Sequence, residues 1–214
     1  MDVDTPNKAV PSSSLAIQTC SECWKIATKC LCAEIIPLQP RTRLLILQHP
    51  QEVTSPLGSA RLLSLSVPEC THRVGLSWRS LSQAFGEECN ARDWAVLFLG
   101  ALKESQDLDP EVPFQVLQKG GRQVPASAIK GIVLLDGNWS QSKTLWWRNP
   151  WMLKLNRMVL NPALPSRYGA VRKQPRKNCL STMEAAAESF RGLGEDQIIP
   201  VTLHALFEKH VALH

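Results

Sequence analysis

The chain has little that ties it to a membrane or to export. No apolar run in its 214 residues approaches the roughly 18–20 that a helix needs to span a bilayer. The opening "MDVDTPNKAVPSSS" carries two acids and no apolar h-region, which argues against a secretory signal and against a transit peptide. Residues 1–14 are expected to form a disordered tail, and the chain is expected to be cytoplasmic. Seven cysteines without an export signal then imply reduced thiols. Internal repeats and low-complexity segments are also missing beyond that tail. The length fits one domain, or a domain with a small appendage.

Acids are scarce in one block. From Asp136 to Asn178 the only acid is Asp136 itself, against nine bases: Lys143, Arg148, Lys154, Arg157, Arg167, Arg172, Lys173, Arg176 and Lys177. Such a bias points to a polyanionic partner, with nucleic acid first, although a solvated basic face is the commoner explanation of basic blocks. Tyrosine is scarcer still, with Tyr168 alone. Indole replaces it: "VLLDGNWSQSKTLWWRNP" (133–150) holds three tryptophans, and Trp151 follows. Tryptophan interleaved with cations suits base stacking beside phosphate contact. At these helical spacings Trp146, Trp147 and Trp151 are expected to pack inward, while Trp139 faces a site.

What is present first is a cysteine cluster. "CSECWKIATKCLC" places Cys20, Cys23, Cys30 and Cys32 within thirteen residues, while the other cysteines are scattered. Four thiolates can close a tetrahedral zinc site, and a full set of protein ligands makes such a site structural. A redox Cys-x-x-Cys would not need the second pair. Residues 15–40 are therefore read as a zinc-binding segment ending in "IIPLQP", and 41–214 as the main domain.

Beyond Arg41 strands alternate with helices. Strands are expected at 43–48, 94–100, 131–136 and 157–160. Helices are expected at 55–66, opened by Ser55 with Pro56 in the first turn, after Asp136, from Ser181 with Glu184 completing a capping box, and over 201–214. "GIVLLD" is apolar throughout, as strands of a parallel sheet covered on both faces are. The fold class is α/β.

Asp136 ends that strand. Ligands of open α/β sheets bind outside the carboxyl ends of the strands, so Asp136 lies where a ligand would, and Gly137 would let backbone approach it. The carboxylate has two functional roles open to it, general base or orienter of a donor. It is equally placed to cap the following helix, as Asn138 or Ser140 also are. His49 and Glu52 in "LQHPQE" occupy the loop after the first strand.

Taken in order, the four-cysteine knuckle, "LQHPQE", "VLFLG", "LLDGNW", "PSRYGAVRK" and "LSTMEA" resemble the DTW-domain family, the tRNA-uridine aminocarboxypropyltransferases. The resemblance spans about residues 20 to 190. The family motif is Asp, any residue, Thr, Trp; here it reads Asp136, Gly137, Asn138, Trp139, with Asn in the Thr position. The resemblance implies a SPOUT-like fold with a knotted C-terminal part. It also implies transfer of the 3-amino-3-carboxypropyl group of S-adenosylmethionine to uridine N3 in tRNA. The donor pocket would draw on Leu99, Gly100, Leu134, Leu135, Gly137, Asn138, Trp139, Leu180, Ser181 and Thr182. Tyr168 and Arg172 would contact the donor's amino-acid part or the RNA, with loop packing as the alternative, and Ser166, His49 and Glu52 would also lie on the substrate side. Arg167, Lys173, Arg176 and Lys177 would contact phosphates, and Asp136 would act as the base or orient it. A SPOUT-type RNA methyltransferase and a non-catalytic zinc-containing RNA-binding protein are the competing readings.

Overall fold

A computed structural model of the chain describes residues 18–97, 112–162, 164–169, 171 and 179–214. The expected tail at 1–14 lies outside these residues, as do Leu99, Gly100, Arg172, Lys173, Arg176 and Lys177. Among the described residues six strands form one sheet: β1 (Arg43–Gln48), β2 (Thr71–Val74), β3 (Trp94–Leu97), β4 (Phe114–Leu117), β5 (Gly131–Asp136) and β6 (Asn156–Leu160). Their order is β2-β1-β5-β3-β6-β4, and every pairing is parallel except β4 with β6. Among the described residues five α-helices accompany them: α1 (Ala60–Ser66), α2 (Leu81–Phe85), α3 (Trp139–Arg148), α4 (Thr182–Gly192) and α5 (Ile198–Ala212).

The unbroken aliphatic character of β1 and β5 follows from burial on both faces. Leu44, Ile46, Ile132 and Leu134 point into a core shared with α1, α4 and α5. Leu45, Leu47, Val133 and Leu135 point into a second core shared with α2, α3 and the 3-10 turn Pro150–Lys154. Each fully buried aliphatic side chain contributes about 1.5–3 kcal/mol relative to exposure. A one-residue slip would exchange the two sets, so the register of β1 against β5 is firmly specified. Cys23, Leu31 and Leu38 of the cysteine segment join the first core, so that segment is packed onto the sheet's helices.

The helix expected over 55–66 begins only at Ala60. Its first residues form turns because their carbonyls are bonded elsewhere. Lys25 Nζ donates to the carbonyls of Ser55, Pro56 and Gly58 at 3.1, 2.8 and 2.6 Å, and the Tyr168 hydroxyl donates to that of Leu57 at 2.6 Å. A helix over 55–58 would direct those carbonyls to the amides four residues on. At the other end of the chain, α5 starts at Ile198, ahead of the expected Val201. Proline is tolerated in a first turn, so Pro200 does not delay the helix, and Asp196 Oδ1 accepts from Ile198 N at 2.9 Å. Neither β2, α2 nor β4 was legible in the pattern. β2 is an edge strand with no fully buried residue, and α2 and β4 are only five and four residues long.

Candidate active site at the carboxyl edge of the sheet

The parallel register of β1 and β5 sets Gln48 abreast of Asp136, last residue beside last residue. Both are buried. Gln48 Nε2 donates to Asp136 Oδ2 at 2.8 Å. The other carboxylate oxygen, Oδ1, accepts from Thr182 Oγ1 at 2.5 Å. Gln48 spends its amide N–H on Asp136, so its Oε1 accepts, and His72 Nε2, 3.1 Å away, is the donor. Burial pushes the His72 imidazole down to about 4, and Arg61 adds to the effect. His72 is thus neutral at pH 7, with its one N–H pointing at Gln48. The line His72, Gln48, Asp136, Thr182 crosses the edge from β2 through β1 and β5 to α4.

Asp136 does not cap the helix that follows it. Asn138 does: its Oδ1 accepts from Gln141 N at 3.0 Å, while Gln141 Oε1 accepts from Asn138 N at 2.6 Å, a complete capping box. The Asp136 carboxylate faces α4, where Thr182 donates to it. Gly137 is required by the same turn, because a Cβ there would stand 2.8 Å from Gln141 Cβ.

Two devices hold α4 in place. Ser181 caps it and Glu184 closes its capping box, as the pattern predicts. Glu184 is buried and does more: its Oε2 accepts from Ser181 N at 2.8 Å and from Ser166 Oγ at 2.5 Å, and its Oε1 accepts from Arg167 N at 2.7 Å. The carboxylate thus ties the start of the basic loop to the N-terminus of α4. Ser59, at the head of α1, accepts from Met183 N through its hydroxyl at 3.2 Å.

The loop at 55–58 is the second brace. Burial pushes the Lys25 ammonium down to about 8, against the opposing pull of Cys23, Asp136 and Glu52. Its three carbonyl partners fasten the cysteine segment to this loop. From the opposite side come Tyr168, packed edge-on to Phe207 at 5.0 Å, and His210 Nε2, 3.3 Å from Leu57 O.

Cys20 and Cys32 bring their sulfurs to 3.7 Å, as do Cys23 and Cys30, and all four lie within 4.8 Å of one another. A tetrahedral site with zinc–sulfur bonds of about 2.3 Å separates its sulfurs by about 3.8 Å, so this donor set fits the ion. The turn between the pairs places Trp24 at φ 59, a left-handed conformation that non-glycine residues seldom adopt. Its ring lies 4.5 Å under the Arg61 guanidinium and 6.0 Å from His72, which brings the knuckle to the Asp136 network.

Comparison with known proteins decides the family. Residues 17–214 match the DTW domain model. The chain belongs to the DTW-domain family. It is 30% identical over 194 residues to mouse (Mus musculus) tRNA-uridine aminocarboxypropyltransferase 2, covering 86% of this chain and 59% of the relative. The protein of that name from Macaca fascicularis is 29% identical over 192 residues, with the same 86% and 59% coverage. That from Drosophila melanogaster is 26% identical over 174 residues, covering 79% and 64%. The chain therefore spans about three-fifths of the length of these relatives. No solved structure matches it significantly.

For a DTW-domain protein the Asn in the Thr position has a simple account. The position is an N-cap, where Asn and Thr both serve. The other expected site residues divide by burial. Gly137, Asn138, Trp139, Leu180, Ser181 and Thr182 cluster with Asp136 at the strand end or at the head of α4. Leu134 and Leu135 are buried, point into the two cores and pair with Ile46 and Leu47 of β1. Ser166 and Tyr168 are buried and spent on Glu184 and Leu57. Arg167 extends outward and pairs with Glu208 of α5. His49 caps the turn Pro50–Glu52 by accepting from Gln51 N at 3.3 Å, and Glu52 is buried.

The tryptophans are a partial correction. Trp151 packs inward and donates to Trp78 O at 3.0 Å, but Trp147 is 78% exposed. Gln48, His72 and Lys25 were missed. Gln48 had a usable signal, since it ends "RLLILQ" as Asp136 ends "GIVLLD". His72 and Lys25 had none, because their roles depend on strand pairing and on a loop distant in sequence.

Proposed function

We propose that this chain transfers the 3-amino-3-carboxypropyl group of S-adenosylmethionine to N3 of a uridine in tRNA. The observation that carries the reading is the buried Asp136 carboxylate at the sheet's carboxyl edge, held by Gln48 on one oxygen and Thr182 on the other. The names of the curated relatives supply the reaction class. In the reaction, N3 loses its proton and attacks the donor's γ-carbon, and the carbon–sulfur electron pair stays on sulfur as 5′-methylthioadenosine.

The protein's part is positional. A sulfonium offers three carbons, and only placement in line with the nucleophile selects the longer arm. Asp136, with both oxygens already accepting, is a carboxylate of set orientation, suited to hold the cationic donor or to align the group that takes the N3 proton. Gly137 to Trp139 and Leu180 to Thr182 converge beside it and form the donor pocket in this reading. Arg167 and the cations at 172, 173, 176 and 177 contact tRNA phosphates, with His49, Glu52, Ser166 and Tyr168 shaping the approach. The four cysteines hold a structural zinc, which anchors Lys25 beneath the 55–58 loop. A SPOUT-like arrangement with a C-terminal knot belongs to the same proposal, supported by the chain's return from β6 to the end of β5 at Thr182.

The test is mass spectrometry of tRNA nucleosides after incubation with the protein and S-adenosylmethionine. A uridine heavier by one aminocarboxypropyl unit, with methylthioadenosine released, is the expected result. Adenosylhomocysteine with a methylated nucleoside would instead identify a methyltransferase. Calorimetry showing no binding of S-adenosylmethionine would indicate a non-catalytic RNA-binding protein. Asp136→Asn should bind both substrates and lose transfer; transfer at the wild-type rate would remove Asp136 from the mechanism.

A further inference from the structure

The outer face of α3 is left over from the site just described. The helix buries Ser142, Leu145 and, one residue past its end, Asn149, which fixes the side that meets the sheet. Ser140, Lys143 and Trp147 lie on the opposite side and are all exposed. Trp147 is 78% exposed, the most exposed of the large hydrophobic side chains among the described residues. A soluble surface has no need of an indole there, and neighbouring residues do not cover it.

Charge narrows what could cover it. Lys143 lies one turn before Trp147, Arg148 adjoins it, and Lys154 follows beyond the helix. No acid occurs anywhere from Gly137 to Met183. Among the described residues, none of these three cations has an acidic partner. Lys143 Nζ sits 5.2 Å from the Trp139 ring centroid, so cation and indole already share this surface at its site end. A partner that sought only apolar area would gain nothing from cations on the same face as the indole. A nucleic acid uses both, through base stacking and phosphate contact.

We infer that the exposed face of α3, with Trp147 flanked by Lys143 and Arg148, is a stacking platform for an unpaired base of the tRNA, outside the Asp136 pocket. The inference rests on the proposed function, because it takes tRNA as the substrate. Trp139 begins the helix three residues after Asp136, and Trp147 lies eight residues further, about 12 Å along the axis. The base held by Trp147 is therefore not the reacting uridine but one that flanks it in space. The platform would help to select tRNAs with an unpaired base at that distance.

The experiment is equilibrium binding of a fluorescently labelled tRNA transcript to the full chain. Wild type is compared with Trp147→Ala, Trp147→Phe and the double variant Lys143→Ala/Arg148→Ala. Trp147 is on the surface, so Trp147→Ala should keep the wild-type circular dichroism spectrum and Tm. Its affinity should fall roughly 5- to 150-fold, the range for loss of one base–aromatic stack. Phenylalanine should restore most of that loss, since it too offers a ring face. The double variant should lower the slope of log affinity against log salt by about 1.5, whereas Trp147→Ala leaves the slope unchanged. Wild-type binding with an equal affinity for Trp147→Ala overturns this inference alone. So does normal tRNA affinity together with a change from dimer to monomer, which would make the face a self-association surface. Failure of wild type to bind any tRNA overturns the proposed function and the platform together.

Discussion

The Thr182 hydroxyl donates to the Asp136 carboxylate at 2.5 Å across 46 positions of sequence. This single bond joins the end of β5 to the first turn of α4, and Ser181 and Glu184 set its geometry by capping that turn. Replacing Thr182 with Val keeps the shape and removes the donor. A hydrogen bond to a charged group is worth about 1.5–3 kcal/mol, or roughly 3–12 °C in Tm for a chain of this size. Thermal denaturation should show that loss for Thr182→Val and little of it for Thr182→Ser. Methylthioadenosine release should follow the same order. Equal Tm and turnover in all three proteins would mean that the bond does not matter.

Asn138 offers a test of the family departure. Since the position is an N-cap, Asn138→Thr should change stability by only a few tenths of a kcal/mol and leave transfer near wild type. Asn138→Ala should cost about 1 kcal/mol, because Gln141 N then loses its acceptor. A large gain of activity in Asn138→Thr would show that the hydroxyl has chemistry of its own.

Metal analysis should find one zinc per chain. Cys23→Ser or a strong chelator should remove it and lower Tm by several degrees, because Cys23 is part of the main core and its neighbour-but-one Lys25 braces the 55–58 loop. Limited proteolysis should then open the chain near that loop. Unchanged Tm after complete metal removal would show that the cysteines alone keep the knuckle closed.

His72 and His210 both predict acid sensitivity. Burial is the main cause in each case, and it pushes both imidazoles down to about 4 from an ordinary value of 6.5. Between those two values the unfolded chain binds protons that the fold refuses, so stability falls as pH falls through that window. Above about pH 7 neither group contributes a slope. Denaturant titrations at about pH 7 and about pH 5 should show this loss, and His72→Gln should reduce it. A variant with the wild-type pH slope would show that His72 is not neutral in the fold.

Much of this was legible from local pattern because local physics decides it. Continuous aliphatic runs identify β1 and β5, and Ser181 with Glu184 marks the head of α4. The cysteine spacing marks the knuckle, whose sulfurs do meet. The 55–58 segment departs from its helical pattern because helical propensity is weak beside a buried ammonium that takes three of its carbonyls. The bond from the Tyr168 hydroxyl to Leu57 O spans 111 positions, and no local pattern announces it.

The amino-acid sequence by itself determined that this chain is an α/β protein, with a four-cysteine knuckle and one acid at the end of a buried strand. Only the tertiary structure decided what surrounds that acid. Gln48 reaches Asp136 through parallel register, Thr182 reaches it through a helix that returns from far along the chain, and His72 is held beyond Gln48. Periodicity reports which face of an element is buried. It does not report which polar ends meet at a sheet edge, because that depends on strand order and on long-range chain return.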